Sequence, residues 1–144
     1  MLFFSGINWL AVAVAFVIFF AVGAIWFGPK TFYPVWIRLA GLTPEPGKGL
    51  GHHSMPFVLG LTALGALAQV VTVAWIINIV EAAAGPATPV DGLLVGLLLG
   101  IGIAAASSLS HRLFSGHGVR VWLIEVGSDV VSLALAGLVI GLFN

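Results

Sequence analysis

Four long apolar runs, at about 8–28, 56–80, 92–111 and 119–143, dominate this chain, and the first three carry no Asp, Glu, Lys or Arg. Backbone groups placed in hydrocarbon must find hydrogen-bond partners within their own segment, so such runs are helices. About 20 helical residues cross a bilayer core. The rest of the composition agrees: the chain is 60% hydrophobic and 7% charged, whereas a soluble domain carries roughly a quarter of its residues charged. The expectation is an all-α, integral membrane four-helix bundle, a single transmembrane domain over residues 1–144.

Punctuation separates the spans. Gly28-Pro29 ends the first run, because proline lacks the amide that helix propagation needs. Residues 30–42 differ from the runs around them. Phe32, Trp36 and Leu39 fall near helical spacing beside Lys30 and Arg38, which predicts a short amphipathic segment lying in the membrane interface between the first two helices. Residues 43–53 read as an exposed irregular loop rich in Gly and Pro. Pro56 opens the second span, where its missing N–H costs nothing. Residues 81–91 and 113–118 are short connectors. The first run has no basic residues ahead of it and is too apolar for too long to read as a secretory signal, so it is expected to remain as a span. The tryptophans Trp9, Trp26, Trp36 and Trp122 suit aromatic belts at the interfaces, and Trp75 sits near a helix end.

Basic residues set the expected orientation. Lys30, Arg38 and Lys48 fall in the first connector, and Arg112 and Arg120 flank the third. With four spans those two connectors share one side of the membrane. The positive-inside rule puts connectors 29–55 and 112–118 in the cytoplasm and both termini outside, with a bacterial inner membrane as the expected setting.

Small residues mark contact faces in lipid, where helices associate through close packing and interhelical hydrogen bonds. Gly96 and Gly100, four apart on the third span, and Gly127 on the fourth are the candidate packing positions. A bundle of this size leaves little room for a private cavity, so contacts with further copies or with other membrane subunits are expected.

An ionisable residue inside a span is a functional-site hypothesis in itself. Glu125 and Asp129, four apart on the last span, share one helix face with Ser128 and Ser132. Asp129 lies roughly 14 Å along the helix from Arg120, near the middle of a hydrocarbon core about 30 Å thick. Gln69 reaches a similar depth on the second span, while Ser107, Ser108 and His111 approach the depth of Glu125 on the third. The sequence therefore permits a polar seam of Gln69, Ser107, Ser108, His111, Glu125, Ser128, Asp129 and Ser132. In one reading the seam is structural, with Glu125 paired to His111, Arg112 or Arg120 and Asp129 bonded to Gln69 or the serines. In the other, the two acids form a proton or cation path.

Other chemistries find little support. The net charge of zero offers no footprint for nucleic acid. The absence of cysteine removes thiol catalysis and thiolate ligands, and the histidines His52, His53, His111 and His117 form no ligand spacing that completes a metal site. Ser107, Ser108 and Ser110 beside His111 are more simply read as serines bonding their own or a neighbouring helix than as a hydrolase. No cofactor or metal is expected, and no enzymatic activity.

Several short stretches together resemble one known family. They are Asn8-Trp9, Trp26-Phe27-Gly28-Pro29, Trp36-Ile-Arg-Leu-Ala-Gly-Leu42, His111-Arg-Leu-Phe114 and Trp122-Leu-Ile-Glu-Val-Gly127. They are similar to the small membrane proteins grouped as domain of unknown function 1761. The resemblance implies a four-helix membrane domain and assigns no catalytic or binding residue. Two functions remain as expectations: a non-enzymatic subunit packed in a homo-oligomer or larger membrane complex, and a small oligomeric proton- or cation-coupled transporter or channel using Asp129 and Glu125.

Overall fold

The computed structural model describes residues 4–44 and 51–144. The described residues form helices and connecting turns, without strands. Helix α1 (Trp9–Trp26) is followed by the short α2 (Tyr33–Leu39) and the long α3 (Met55–Ala84). Helix α4 (Pro89–Leu99) continues through a π-helical stretch, Gly100–Ala105, into α5 (Ala106–Phe114), so that these three pieces make one rod, and α6 (Gly118–Phe143) ends the fold. Four helices are long and apolar enough to cross a membrane: α1, α3, the α4–α5 rod and α6. Of the loop expected at 43–53, residues 45–50, including Lys48, lie outside the described residues.

Local chemistry fixes the ends. The Asn8 side chain accepts from the Ala11 N–H at 3.1 Å, and its amide donates to the Phe143 carbonyl at 3.2 Å. One N-cap residue thus starts α1 and ties it to the far end of α6. The second connector is shorter than the sequence suggested, because α3 runs on through Glu81 to Ala84. Glu81 accepts from the Ala87 N–H at 3.0 Å, and Gly85 turns the chain at φ 94°. Thr88 and Asp91 then make a reciprocal capping box with Pro89 at the first turn, so α4 starts ahead of the expected 92.

Helix α6 is the central element: half of its most apolar stretch is buried, against 22% for each of the other three spans. Its closest neighbour is the antiparallel α4. A Cβ built on Gly92 would overlap the Gly137 carbonyl, and one on Gly96 would overlap the Leu133 carbonyl. A Cβ on Gly100 would stand 2.9 Å from the Val130 Cα, and one on Gly141 2.7 Å from the Thr88 carbonyl. Backbone lies on backbone along this crossing, as small-xxx-small faces allow. Gly127 serves a different contact, against the ring of Trp26 on α1.

The core lies toward the end of the bundle where α1 begins and α6 finishes. Ala11, Val12, Ala15 and Phe19 of α1 meet Val70, Val73 and Ile77 of α3 and Ala136 and Ile140 of α6. Toward the other end the packing thins. On α1 burial stops at Phe19, and on α3 it begins only at Ala66, so residues 55–65 stand clear of their own bundle. Phe57, Leu59, Leu61 and Leu64 are all about half exposed or more. Apolar on every side, that half of α3 is suited to lipid or to another protein rather than to water.

Candidate functional site

The divergence of α1 and α3 opens a cavity of about 480 Å³ with α6 as its back wall. Phe19 and Phe20 of α1 and Phe27 just after it give the cavity an aromatic side, and Gly23 contributes a stretch of wall without a side chain. Leu59, Thr62 and Gly65 of α3 form the opposite side and are themselves exposed, so the cavity opens between the two helices. Its polar residues are Thr62 and Gln69 of α3 and Ser128, Asp129 and Ser132 of α6. Ser128 and Ser132 are buried polar residues of the core, 4% and 2% exposed. Four of the eight expected seam residues thus come together around one space.

Asp129 and Glu125 part company here. Glu125 is held by an ion pair from Arg112 Nε to its Oε2 at 2.6 Å and by the Trp36 indole N–H donating to Oε1 at 3.0 Å. Its carboxylate joins α6, α5 and α2 in one cluster. Trp36 in turn packs edge-on against Phe27, and Phe32 stacks on Trp26 at 4.6 Å. The interfacial segment is therefore a clasp across the end of the bundle. Among the described residues, no hydrogen bond or ion pair engages the Asp129 carboxyl. It lies one turn from Glu125 and faces the cavity.

The remaining three expected residues fall elsewhere. Ser107 and His111 are exposed on the outer side of the rod. Ser107 donates back to the Ala104 carbonyl at 3.4 Å. Ser108 instead stands on the α6 side, where it donates to the Ala105 carbonyl at 3.2 Å and receives the Trp122 indole N–H at 3.2 Å. Glu125 is therefore met by the Ser108–Arg112 row rather than the Ser107–His111 row. The reason is the π stretch, which places one extra residue in the turns between Gly100 and Ala106. In an unbroken α-helix, positions 7 and 11 after Gly100 come within about 20° of its face, and those are Ser107 and His111. One extra residue hands the face to Ser108 and Arg112.

Sequence reasoning did not place Trp36 on Glu125, did not find the aromatic wall, and missed the π stretch. The first had a signal: Trp36 and Glu125 are expected at the same membrane boundary. The stripe Gly92, Gly96, Gly100 also carried one, since each step of four residues drifts by about 40° on an α-helix and a long stripe of fours calls for a correction.

A bundle of four membrane-length helices with a carboxyl facing a lateral cavity defines a multi-pass membrane protein. The chain belongs to the family described as a protein of unknown function (DUF1761), whose pattern matches residues 10–141. No curated protein and no solved structure matches it.

Proposed function

We propose that this chain is a small, non-enzymatic membrane transporter or channel subunit in which Asp129 is the working acid and Glu125 a structural one. The observation that carries this reading is the difference in their surroundings. Glu125 is neutralised by Arg112, whereas Asp129 borders a cavity near mid-membrane with no partner among the described residues. A carboxyl so placed is costly to keep unless it takes up protons or cations. The groups facing it are few: α1 and α3 bring no titratable side chain to the cavity, and on α6 the neighbouring acid is Glu125. Reconstitution into liposomes loaded with a pH-sensitive dye tests the proposal. Under an imposed potential the protein is expected to conduct protons, with Asp129→Asn cutting the rate at least tenfold and Glu125→Gln leaving it within threefold in folded protein. Equal rates for Asp129→Asn and the unsubstituted chain would overturn the assignment.

A second reading, packing as a homo-oligomer or with other membrane subunits, is favoured by the bare N-terminal half of α3. There Gly60 and Gly65 meet nothing within 4 Å, although such residues usually mark helix contacts. The two readings are compatible, because a second copy can line the path. Gentle solubilisation and mass measurement are expected to give a multimer that Gly60→Leu splits without unfolding the chain. A monomer for the unsubstituted chain sinks this reading.

The proposed sidedness puts α2 and the turn at Ser115 in the cytoplasm and the turn at Pro86 outside. The chain has no cysteine, so single-cysteine variants report cleanly. Ser115→Cys is expected to resist an impermeant maleimide applied from outside intact cells, and Pro86→Cys to react. The reverse pattern would invert the topology.

A further inference from the structure

The cavity has a chemistry more specific than a proton path requires. Its walls are largely apolar and include Phe19, Phe20 and Phe27, while the polar side chains are Gln69, Ser128, Asp129 and Ser132, together with Thr62, whose hydroxyl donates to the Val58 carbonyl of its own helix. At about 480 Å³ it falls within the range of roughly 300–1,000 Å³ typical of small-molecule sites. It offers one carboxylate, which disfavours anions. A hard metal ion wants six or more oxygen ligands from several carboxylates or carbonyls, and aromatic rings contribute nothing to that. Organic ammonium ions, by contrast, combine attraction to a carboxylate with attraction to ring faces. A largely apolar cavity accepts an ion of that kind only if the rest of the ion is apolar too.

Access points the same way. The mouth runs between α1 and the exposed half of α3, bordered by Leu59 and Gly65 with Leu61 and Leu64 beside them. A second shallow groove, lined by Phe16, Val17, Phe20, Ala21 and Ala63, continues along the same α1–α3 seam. With these helices spanning a bilayer, this mouth is expected at the depth of the acyl chains, open to molecules already dissolved there.

We infer that the cavity between α1, α3 and α6 binds an organic ammonium ion bearing an apolar or aromatic body, entering sideways from the membrane and pairing with Asp129 beneath the phenylalanine rings. The inference rests on the reading of Asp129 as the working acid and adds the class of ligand. In the bound state the ammonium neutralises the carboxylate, Gln69 and the serine hydroxyls complete its polar surroundings, and the body fills the aromatic side. Inside a low-dielectric bundle the attraction within such a pair is less screened than in water, and it works against the cost of desolvating both charges.

The test is equilibrium dialysis of radiolabelled benzyltrimethylammonium against the full chain in nanodiscs of uncharged phosphatidylcholine, with empty nanodiscs as blank. Saturable binding is expected. Asp129→Asn is expected to weaken it at least tenfold. Gly23→Leu is expected to do the same by filling the cavity, since Gly23 lines it and nothing stands within 4 Å of its Cβ position, with helical circular dichroism checking that the variant is folded. Glu125→Gln is expected to stay within threefold. Neopentylbenzene, the uncharged isostere, should not displace the label. Binding unchanged by Gly23→Leu, unchanged by a folded Asp129→Asn, or displaced equally by neopentylbenzene overturns the inference. If the unsubstituted chain binds no label while its proton flux still depends on Asp129, the ligand class fails and the proposed function stands. If both the binding and the Asp129-dependent flux are missing, both fail.

Discussion

Gly96→Leu and Gly137→Leu are expected to abolish the folded bundle, while Gly60→Ala and Gly23→Ala leave its stability within about 0.5 kcal/mol. All four sites are glycines in membrane helices, so the residue replaced does not separate them. Space does. The first pair sits where a single Cβ already overlaps a carbonyl of the opposing helix, Leu133 for Gly96 and Gly92 for Gly137. The obstacle is backbone, which has no alternative rotamer. Over-packing a core with extra methylenes costs about 1–3 kcal/mol when side chains can give way. Here α4 and α6 would have to separate, and the contacts on either side would open with them. At Gly60 and Gly23 nothing lies within 4 Å, and replacing a mid-helix glycine by alanine gains about 0.5–1 kcal/mol of backbone entropy in water. Stability against increasing SDS in mixed micelles, followed by helical circular dichroism, measures the contrast. Equal losses at Gly96 and Gly60 would show that the α4–α6 crossing is not the close contact described.

How much of this was legible in the sequence follows from what each feature depends on. Four spans could be read because hydrocarbon imposes its demand on every residue of a run, and a run of twenty is visible without any partner. The interfacial segment could be read from Phe32, Trp36 and Arg38 for the same reason. The cavity could not. It exists because α1 and α3 diverge beyond Phe19 and Ala66, and divergence is a relation between helices that neither sequence states alone. The polar seam stands between these cases. Gln69, Ser128, Asp129 and Ser132 were grouped by depth and face, and the structure places all four around one cavity. The same arithmetic groups Ser107 and His111, and there it is off by one residue. Gly100–Ala105 is π-helical, and no recognisable motif announces the residue inserted there, where Gly100 closely approaches Val130. Arithmetic on face and depth therefore holds within an uninterrupted helix, as from Glu125 to Asp129, and loses phase across an interruption.

Arg112→Leu is expected to destabilise the bundle more than Glu125→Gln, and the double substitution is expected to recover most of the loss. The Glu125 side chain is 16% exposed and that of Arg112 37%, so the two partners are not equivalent. Removing Arg112 strands a carboxylate in the less exposed position, facing a helix bundle. Removing one partner of a fully buried pair costs about 3–5 kcal/mol, and the partial exposure of Arg112 lowers the expectation to about 2–3 kcal/mol. Glu125→Gln leaves Arg112 without its counter-charge, yet the guanidinium sits near the end of α5 where it reaches the polar boundary, and a glutamine oxygen can still accept from the Trp36 indole. That loss is expected at about 1 kcal/mol, the scale of a single hydrogen bond. With both changes no charge is stranded, and the Trp36 contact survives. A double-mutant cycle should therefore give a coupling of about 2–3 kcal/mol, at the upper end of the range for contacting residues. The readout is unfolding in mixed micelles, with indole fluorescence reporting whether Trp36 leaves its site. Strict additivity would mean that Arg112 and Glu125 do not act on each other, and the clasp would then have to rest on the Trp36 hydrogen bond to Glu125 and the Trp122 hydrogen bonds to Ala105 and Ser108.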